Sequence, residues 1–202
     1  MSHHIYTTEG LVLKSTPVGE ANLFLSILTR DLGLIGARAA GIRETKSKLR
    51  YNLQDFSIAT VSFVRGRSNW RVTNARARSN LYENLKSDPD RLTVLAQVCA
   101  LIRALSPGEE KNTRLFSIVS SAFDFLKAAS LSKDSLLNFE SVLVLRILHT
   151  LGYVAELPLL NEFIKSDEWS RELIANLNGQ RLAAIAEINR SLKASQLIET
   201  KS

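Results

Sequence analysis

The sequence predicts an α+β protein, with a five-stranded β-barrel over residues 1–80 followed by an all-helical domain over residues 81–202. Three observations predict it. Up to about residue 80, β-branched and aromatic residues are interleaved with polar ones in short runs, separated by turn residues. From Leu81 onwards, Leu/Ala-rich segments of helical length take over, with recognisable start and stop signals. The charge divides at the same place. Residues 1–80 carry 12 Lys or Arg against 5 Asp or Glu, a net +7, whereas residues 81–202 carry 14 against 15, a net −1.

Taken in order, residues 5–16 (IYTTEGLVLKST) read as the first strand, punctuated by Pro17 and Gly19. Residues 21–30 (ANLFLSILTR) are apolar at nearly every position, which predicts a strand buried on both faces. Asp31-Leu32-Gly33 then reads as a tight hairpin connection into a third strand over 34–43. The small residues of that strand, Gly36, Ala37, Ala39, Ala40 and Gly41, predict bending or close approach of a neighbour. Residues 44–52 form a polar, basic loop, expected to be the most mobile and exposed part of the domain. Residues 53–65 and 69–77 form a second hairpin through Gly66, Arg67 and Ser68. Closing five such strands into a barrel is the economical way to remove the sheet edges, and five is the strand number of an oligonucleotide-binding (OB) barrel.

In the second half, Asp88 is placed to cap a helix that starts at Pro89 and runs to about Ser106, before Pro107-Gly108. A second helix is expected from about Glu109 to Ser130, with Glu109–Glu110 in its first turn offsetting the helix dipole. Ser132 caps a third, over about Lys133–Leu151, whose centre (SVLVLRIL) is apolar nearly all round and predicts the buried helix of this half. Gly152 ends it. Pro158 opens a shorter segment, Ser166 or Asp167 starts another containing Trp169, and a last helix follows Asn178-Gly179 to about Ile198.

The charge concentration is the strongest functional signal. Arg38 to Arg78 holds ten Lys or Arg against Glu44 and Asp55, a net +8 in 41 residues, while the rest of the chain holds 16 basic and 18 acidic residues. Concentrated positive charge attracts polyanions by counterion release. The candidate phosphate contacts are Arg38, Arg43, Lys46, Lys48, Arg50, Arg65, Arg67, Arg71 and Arg76, with Trp70 and Tyr51 as candidate base-stacking rings. Phe56 and Phe63 read as core. The competing reading is a merely solvated basic surface.

Other chemistry is excluded or weak. The single cysteine, Cys99, sits in an apolar run and reads as a core thiol. His3 and His4 stand together at the terminus and His149 sits in the apolar helix, so no metal site and no catalytic triad is predicted. Neither phosphate-cradling glycine motif is present. No apolar run reaches the roughly 20 residues of a membrane helix, and no secretory signal precedes the first strand. The expectation is therefore a cytoplasmic binding protein with no catalytic residues.

The stretches IYTTEGLVLKSTPVGEANLFLSILTRDLGLIGARAAGIRETKSKLR, LQDFSIATVSFVRGRSNWRVTNA and, in the helical half, NFESVLVLRILHTLGY resemble the RecO family of bacterial recombination mediators. The resemblance implies an N-terminal OB barrel, a helical C-terminal domain, binding of single- and double-stranded DNA, strand annealing and nucleoid association. It implies partners as well: RecR, the C-terminal tail of the single-stranded-DNA-binding protein, and RecA indirectly. Arg103, Arg114 and Arg146 are the candidate tail-binding residues in the helical half. Many family members carry a four-cysteine zinc module after the helix ending here in LGY. The corresponding VAELPLLNEFIKSDEWSRELI has no cysteine, so no zinc is expected. The alternative from charge alone is an RNA-binding accessory module for tRNA or the ribosome.

Overall fold

The structure is a computed structural model, and it describes residues 4–67, 69–155 and 157–195. The chain forms two compact units. One comprises Met1–Ser87 together with Ser106–Phe116, and the other Asp88–Leu105 together with Ser117–Ser202.

The first unit is a closed five-stranded barrel. Its strands are β1 (Ile5–Val18), β2 (Asn22–Thr29), β3 (Gly33–Ala39), β4 (Ser57–Arg65) and β5 (Trp70–Asn80), arranged in the order β1-β2-β3-β5-β4. All neighbours are antiparallel except β3 and β5, which run parallel where the barrel closes. That order is the OB topology. β1 serves both sides of the barrel. Its first half pairs with β4, its second half with β2, and Gly10 and Leu11 pair with both. A side chain at Gly10 would stand 2.7 Å from Ile27 Cγ2, so only glycine fits where the strand turns the corner. The register shift between Val12 and Lys14 adds the local twist that closure needs.

The alternation in the sequence becomes the wall of the barrel. Val12, Leu25, Ile27, Ile35, Ala37, Val61, Phe63, Trp70 and Val72 point inward as one buried cluster. β2 departs from the expectation of burial on both faces. Leu25 and the Ile27–Thr29 end are fully buried, and towards Asn22 the outer face is partly open at Phe24 and Ser26.

The long β3–β4 connection is exposed, as expected, but it is anchored. Ile42 and Leu53 are buried in the barrel cluster. The Asn52 side chain accepts from the Ala77 N–H (2.9 Å) and donates to Lys48 O (2.8 Å). Between these anchors the chain is a succession of hydrogen-bonded turns.

The stretch Ser106–Phe116 returns to the barrel, and this changes the start of the second expected helix. Gly108 has φ 97, and its carbonyl accepts from the Leu34 N–H (3.0 Å). Lys111 pairs with Asp31 (3.3 Å) and Glu109 with Arg65. Asn112 then caps the helix by accepting from the Leu115 N–H (2.8 Å). Glu109 and Glu110 are therefore not first-turn helix residues. The barrel's charged side chains hold this segment out of helical geometry.

After the single turn α1 (Leu81–Leu85), the helices are α2 (Pro89–Leu105), α3 (Thr113–Ala128), α4 (Lys133–Thr150), α5 (Asn161–Lys165), α6 (Arg171–Asn176) and α7 (Arg181–Ala194), with 3-10 turns over Pro158–Leu160 and Leu177–Gln180. α4 is the buried helix, capped by Ser132 and packed against α2, α5, α6 and α7. Asp167–Glu168 and Trp169 precede α6 instead of opening it, because Ser170 is the cap, accepting from the Leu173 N–H (3.0 Å). Freed from helical geometry, Trp169 turns inward onto Phe139 (ring centroids 5.0 Å apart). The expected end of the last helix at Ile198 lies outside the described residues.

Candidate nucleic-acid interface

The outer face of the barrel carries a register row that crosses every strand. Phe24 of β2 pairs with Arg38 of β3, Arg38 with Arg71 of β5, Arg71 with Val64 of β4, and Val64 with Ile5 of β1. Two guanidinium-bearing residues thus stand side by side, flanked by a half-buried ring and by apolar residues that are partly or fully exposed. The next outward row along β5 is neutral. It joins Asn74, Ser62 and Thr7, with the Thr7 and Ser62 hydroxyls 2.9 Å apart. Arg76 follows, opposite Thr60. Like charges on neighbouring strands repel by a few tenths of a kcal/mol to about 1 kcal/mol. A bound polyanion converts that repulsion into attraction.

The other predicted cations fall into three groups. Arg43, Lys46, Lys48 and Arg50 are exposed on the β3–β4 connection, with the Arg43 guanidinium fixed by donating to Gly19 O (3.1 Å). Arg67 is exposed at the β4–β5 tip. Arg65 is committed elsewhere: it pairs with Glu109, and its guanidinium lies 4.8 Å from the Trp70 ring centre. Arg78 is likewise paired with Glu9 (3.3 Å). Among the described residues Arg38, Lys46, Lys48, Arg50, Arg67, Arg71 and Arg76 have no carboxylate within ion-pair distance.

The aromatic candidates separate sharply. Trp70 is 6 % exposed, packed edge-on against Phe63 and Tyr6, and capped by Arg65. Its ring faces are spent on the barrel core, so it is corrected from stacking residue to core residue. Tyr51 is 71 % exposed on the basic connection and keeps its candidacy. Phe24 was not singled out from the sequence. It faces outward beside Arg38, and a Cβ at Gly36 would stand 2.4 Å from its ring. Glycine at 36 gives the ring its seat. The run of leucines around Phe24 hid it, because a strand apolar on both faces has no readable alternation.

The three tail-binding candidates are divided between the two units. Arg114 belongs to the first unit, Arg103 and Arg146 to the second. Arg146 is 1 % exposed. Its Nε donates to Phe163 O (2.7 Å), its Nη2 to Glu168 O (3.1 Å), and it lies 4.2 Å from the Trp169 ring centre. Burial pulls its pKa down to about 10, against the opposing pull of Asp167. Arg146 is therefore a structural cation of the helical core and is corrected accordingly.

Comparison with known proteins decides the family. The model described as "Recombination protein O N terminal" matches residues 1–80, and "Recombination protein O C terminal" matches residues 86–157. The chain belongs to the RecO family. A DNA repair protein RecO from Dehalococcoides mccartyi is 32% identical over 154 residues, covering 76% of this chain and 59% of the relative. Its namesake from Alkaliphilus metalliredigens is 32% identical over 131 residues, covering 65% and 53%. That from Rubrobacter xylanophilus is 34% identical over 123 residues, covering 61% and 49%. The matched region thus spans between half and three-fifths of these RecO relatives. No helix among the described residues is long and apolar enough to cross a membrane.

Proposed function

We propose that this chain is a DNA repair and recombination mediator. Its barrel holds single- and double-stranded DNA by the phosphates, anneals complementary strands, and serves in loading RecA onto gaps coated by single-stranded-DNA-binding protein. The observation that carries the reading is Arg38 beside Arg71 on the open face of an OB barrel, with no compensating carboxylate among the described residues. Neutralising two strands on one basic face lowers their mutual repulsion. Annealing then needs positioned charge and no catalytic base, so the chain acts without enzymatic turnover.

RecR joins it in the loading complex, and the protein acts in the cytoplasm on the nucleoid. The acidic tail of the single-stranded-DNA-binding protein docks on the helical unit. A groove of about 360 Å³ between α2, α4 and α7 suits that tail better than the three arginines named from the sequence. Leu101, Leu137, Val144 and Ile185 line it, together with Arg181, which is ion-paired with Asp134 (3.6 Å). Glu140, also in the lining, has its pKa raised by burial.

The test is binding to labelled single-stranded DNA across a salt series, beside a variant with Arg43, Lys46, Lys48 and Arg50 changed to alanine. Log affinity should fall linearly with log salt, and the variant should bind more weakly with a shallower slope. Annealing of complementary strands by wild type should follow. Structured RNA that outcompetes single-stranded DNA, or no binding to either at moderate salt, would refute the reading.

A further inference from the structure

We propose that Asn52 is a positioning residue for DNA binding: its side-chain amide docks the basic β3–β4 connection against β5, so that Lys48 and Arg50 continue the row of cations that Arg38 and Arg71 begin. The inference rests on the DNA-binding reading above and gives an uncharged residue a part in it.

The seam between β3 and β5 is short. Ala37 pairs with Trp70 and Arg38 with Arg71, and β3 ends at Ala39, whereas β5 runs on to Asn80. Beyond Arg71 no residue of β3 stands in register with β5, and this is the stretch that carries the exposed Arg76. A strand edge left open presents unpaired N–H and C=O groups. Asn52 takes the place of the missing strand. Its Oδ1 accepts from the N–H of Ala77, the residue after Arg76 (2.9 Å), and its Nδ2 donates to Lys48 O (2.8 Å). One side chain thus ties the backbone of Lys48 to the backbone of β5.

The rest of the connection fits this role. At its start Asn22 Oδ1 accepts from the Gly41 N–H (3.0 Å), and the Arg43 N–H donates to Ala21 O (3.0 Å). Leu49 packs against the barrel cluster, while its neighbours Lys48 and Arg50 are exposed. Gln54 accepts from Asn80 Nδ2 (2.6 Å), but it lies past the cations. Asn52 is therefore the link to β5 that acts on the basic segment itself.

Order in this segment matters for affinity. A cation on an ordered backbone meets a phosphate without further loss of chain freedom, whereas a cation on a loose chain carries that entropy loss into the complex. Replacing Asn52 removes no charge. A loss of affinity on its removal consequently reports the placement of the cations and not their number.

The experiment measures binding of the full chain to labelled oligo-dT by fluorescence anisotropy at one moderate salt concentration. Wild type is compared with Asn52→Ala, with a variant in which Lys46, Lys48 and Arg50 are alanine, and with the two changes combined. Asn52→Ala should bind about fivefold more weakly than wild type, the equivalent of one hydrogen bond. The variant lacking the three cations should also bind more weakly, and adding Asn52→Ala to it should have no further effect, because no cation remains for Asn52 to place. Unchanged affinity in Asn52→Ala overturns the proposal. So does an equal loss in both backgrounds, which would mean that Asn52 supports the barrel as a whole. Equal binding by wild type and the variant lacking the three cations overturns it as well, while leaving Arg38 and Arg71 standing. Failure of wild type to bind refutes the underlying reading instead. If Asn52→Ala does not fold, Asn52→Gln, whose amide is displaced by one methylene, is measured in its place under the same criteria.

Discussion

Arg38 and Arg71 are register partners across the parallel seam of the barrel, 33 positions apart in sequence and neighbours on its open face. Replacing either with alanine should weaken single-stranded DNA binding by about 1.5 kcal/mol, the worth of one charge-assisted hydrogen bond. The salt slope should become shallower by roughly 0.7 for each phosphate that is no longer neutralised. Thermal stability should hold or rise slightly, because a like-charge pair is relieved. Anisotropy titrations at several salt concentrations and a thermal melt check the two halves; a drop in both affinity and melting temperature would mean the arginines support the fold instead.

Phe24 beside Arg38 should behave differently from the arginines. A ring stacked on a base contributes about 1–3 kcal/mol and no ionic term. Phe24→Ala should therefore weaken binding with an unchanged salt slope, while Phe24→Tyr should retain most of the affinity. Gly36→Ala should reproduce part of the effect, since its methyl would meet the Phe24 ring at 2.4 Å and push it from its seat. A changed salt slope in Phe24→Ala would remove the ring from the binding surface.

Arg146 joins α4 to the chain around α5 and the segment before α6. Arg146→Ala strips donors from Phe163 O and Glu168 O and leaves a void beside Trp169, which should cost about 3–5 kcal/mol. Arg146→Lys should rescue little, because an ammonium cannot reproduce the planar fork that reaches both carbonyls while lying on a ring. Urea unfolding followed by circular dichroism measures both. Single-stranded DNA affinity, measured below the unfolding transition, should not change.

Glu140 supplies a pH test. Burial raises its folded-state pKa above the ordinary glutamate value, so the folded state holds its proton more tightly than the unfolded chain. Stability from this group is greatest below the unfolded pKa of about 4.3 and is lost as pH rises through the higher folded value. Glu140→Gln should consequently be more stable than wild type at pH 7, and the difference should vanish towards pH 4. A constant difference across this range would assign the effect to packing in the groove instead of charge.

The barrel was largely legible because strand alternation is a local signal. Val61, Phe63 and Val72 stand at strand positions whose spacing alone gives an inward wall, and Gly66 marks the hairpin between them. Caps were legible for the same reason. Asp88 and Ser132 each stand a few residues before the backbone N–H they satisfy. The misread elements depend on distant partners. Glu109 and Lys111 leave helical geometry for Arg65 and Asp31, and Trp169 leaves it for the aromatic group of α3 and α4.

The sequence by itself determined the α+β class, the helical second half and a positive charge confined to the first 80 residues, since each follows from periodicity or composition. Only the tertiary structure decided which cations are free. Closing the barrel brings Arg38 to Arg71 and Arg78 to Glu9, and the returning stretch Ser106–Phe116 gives Arg65 its carboxylate, Glu109. It also turns Trp70 inward, Phe24 outward and Arg146 into the helical core. Those outcomes depend on strand register and on residues far away along the chain, and local patterning carries no record of either.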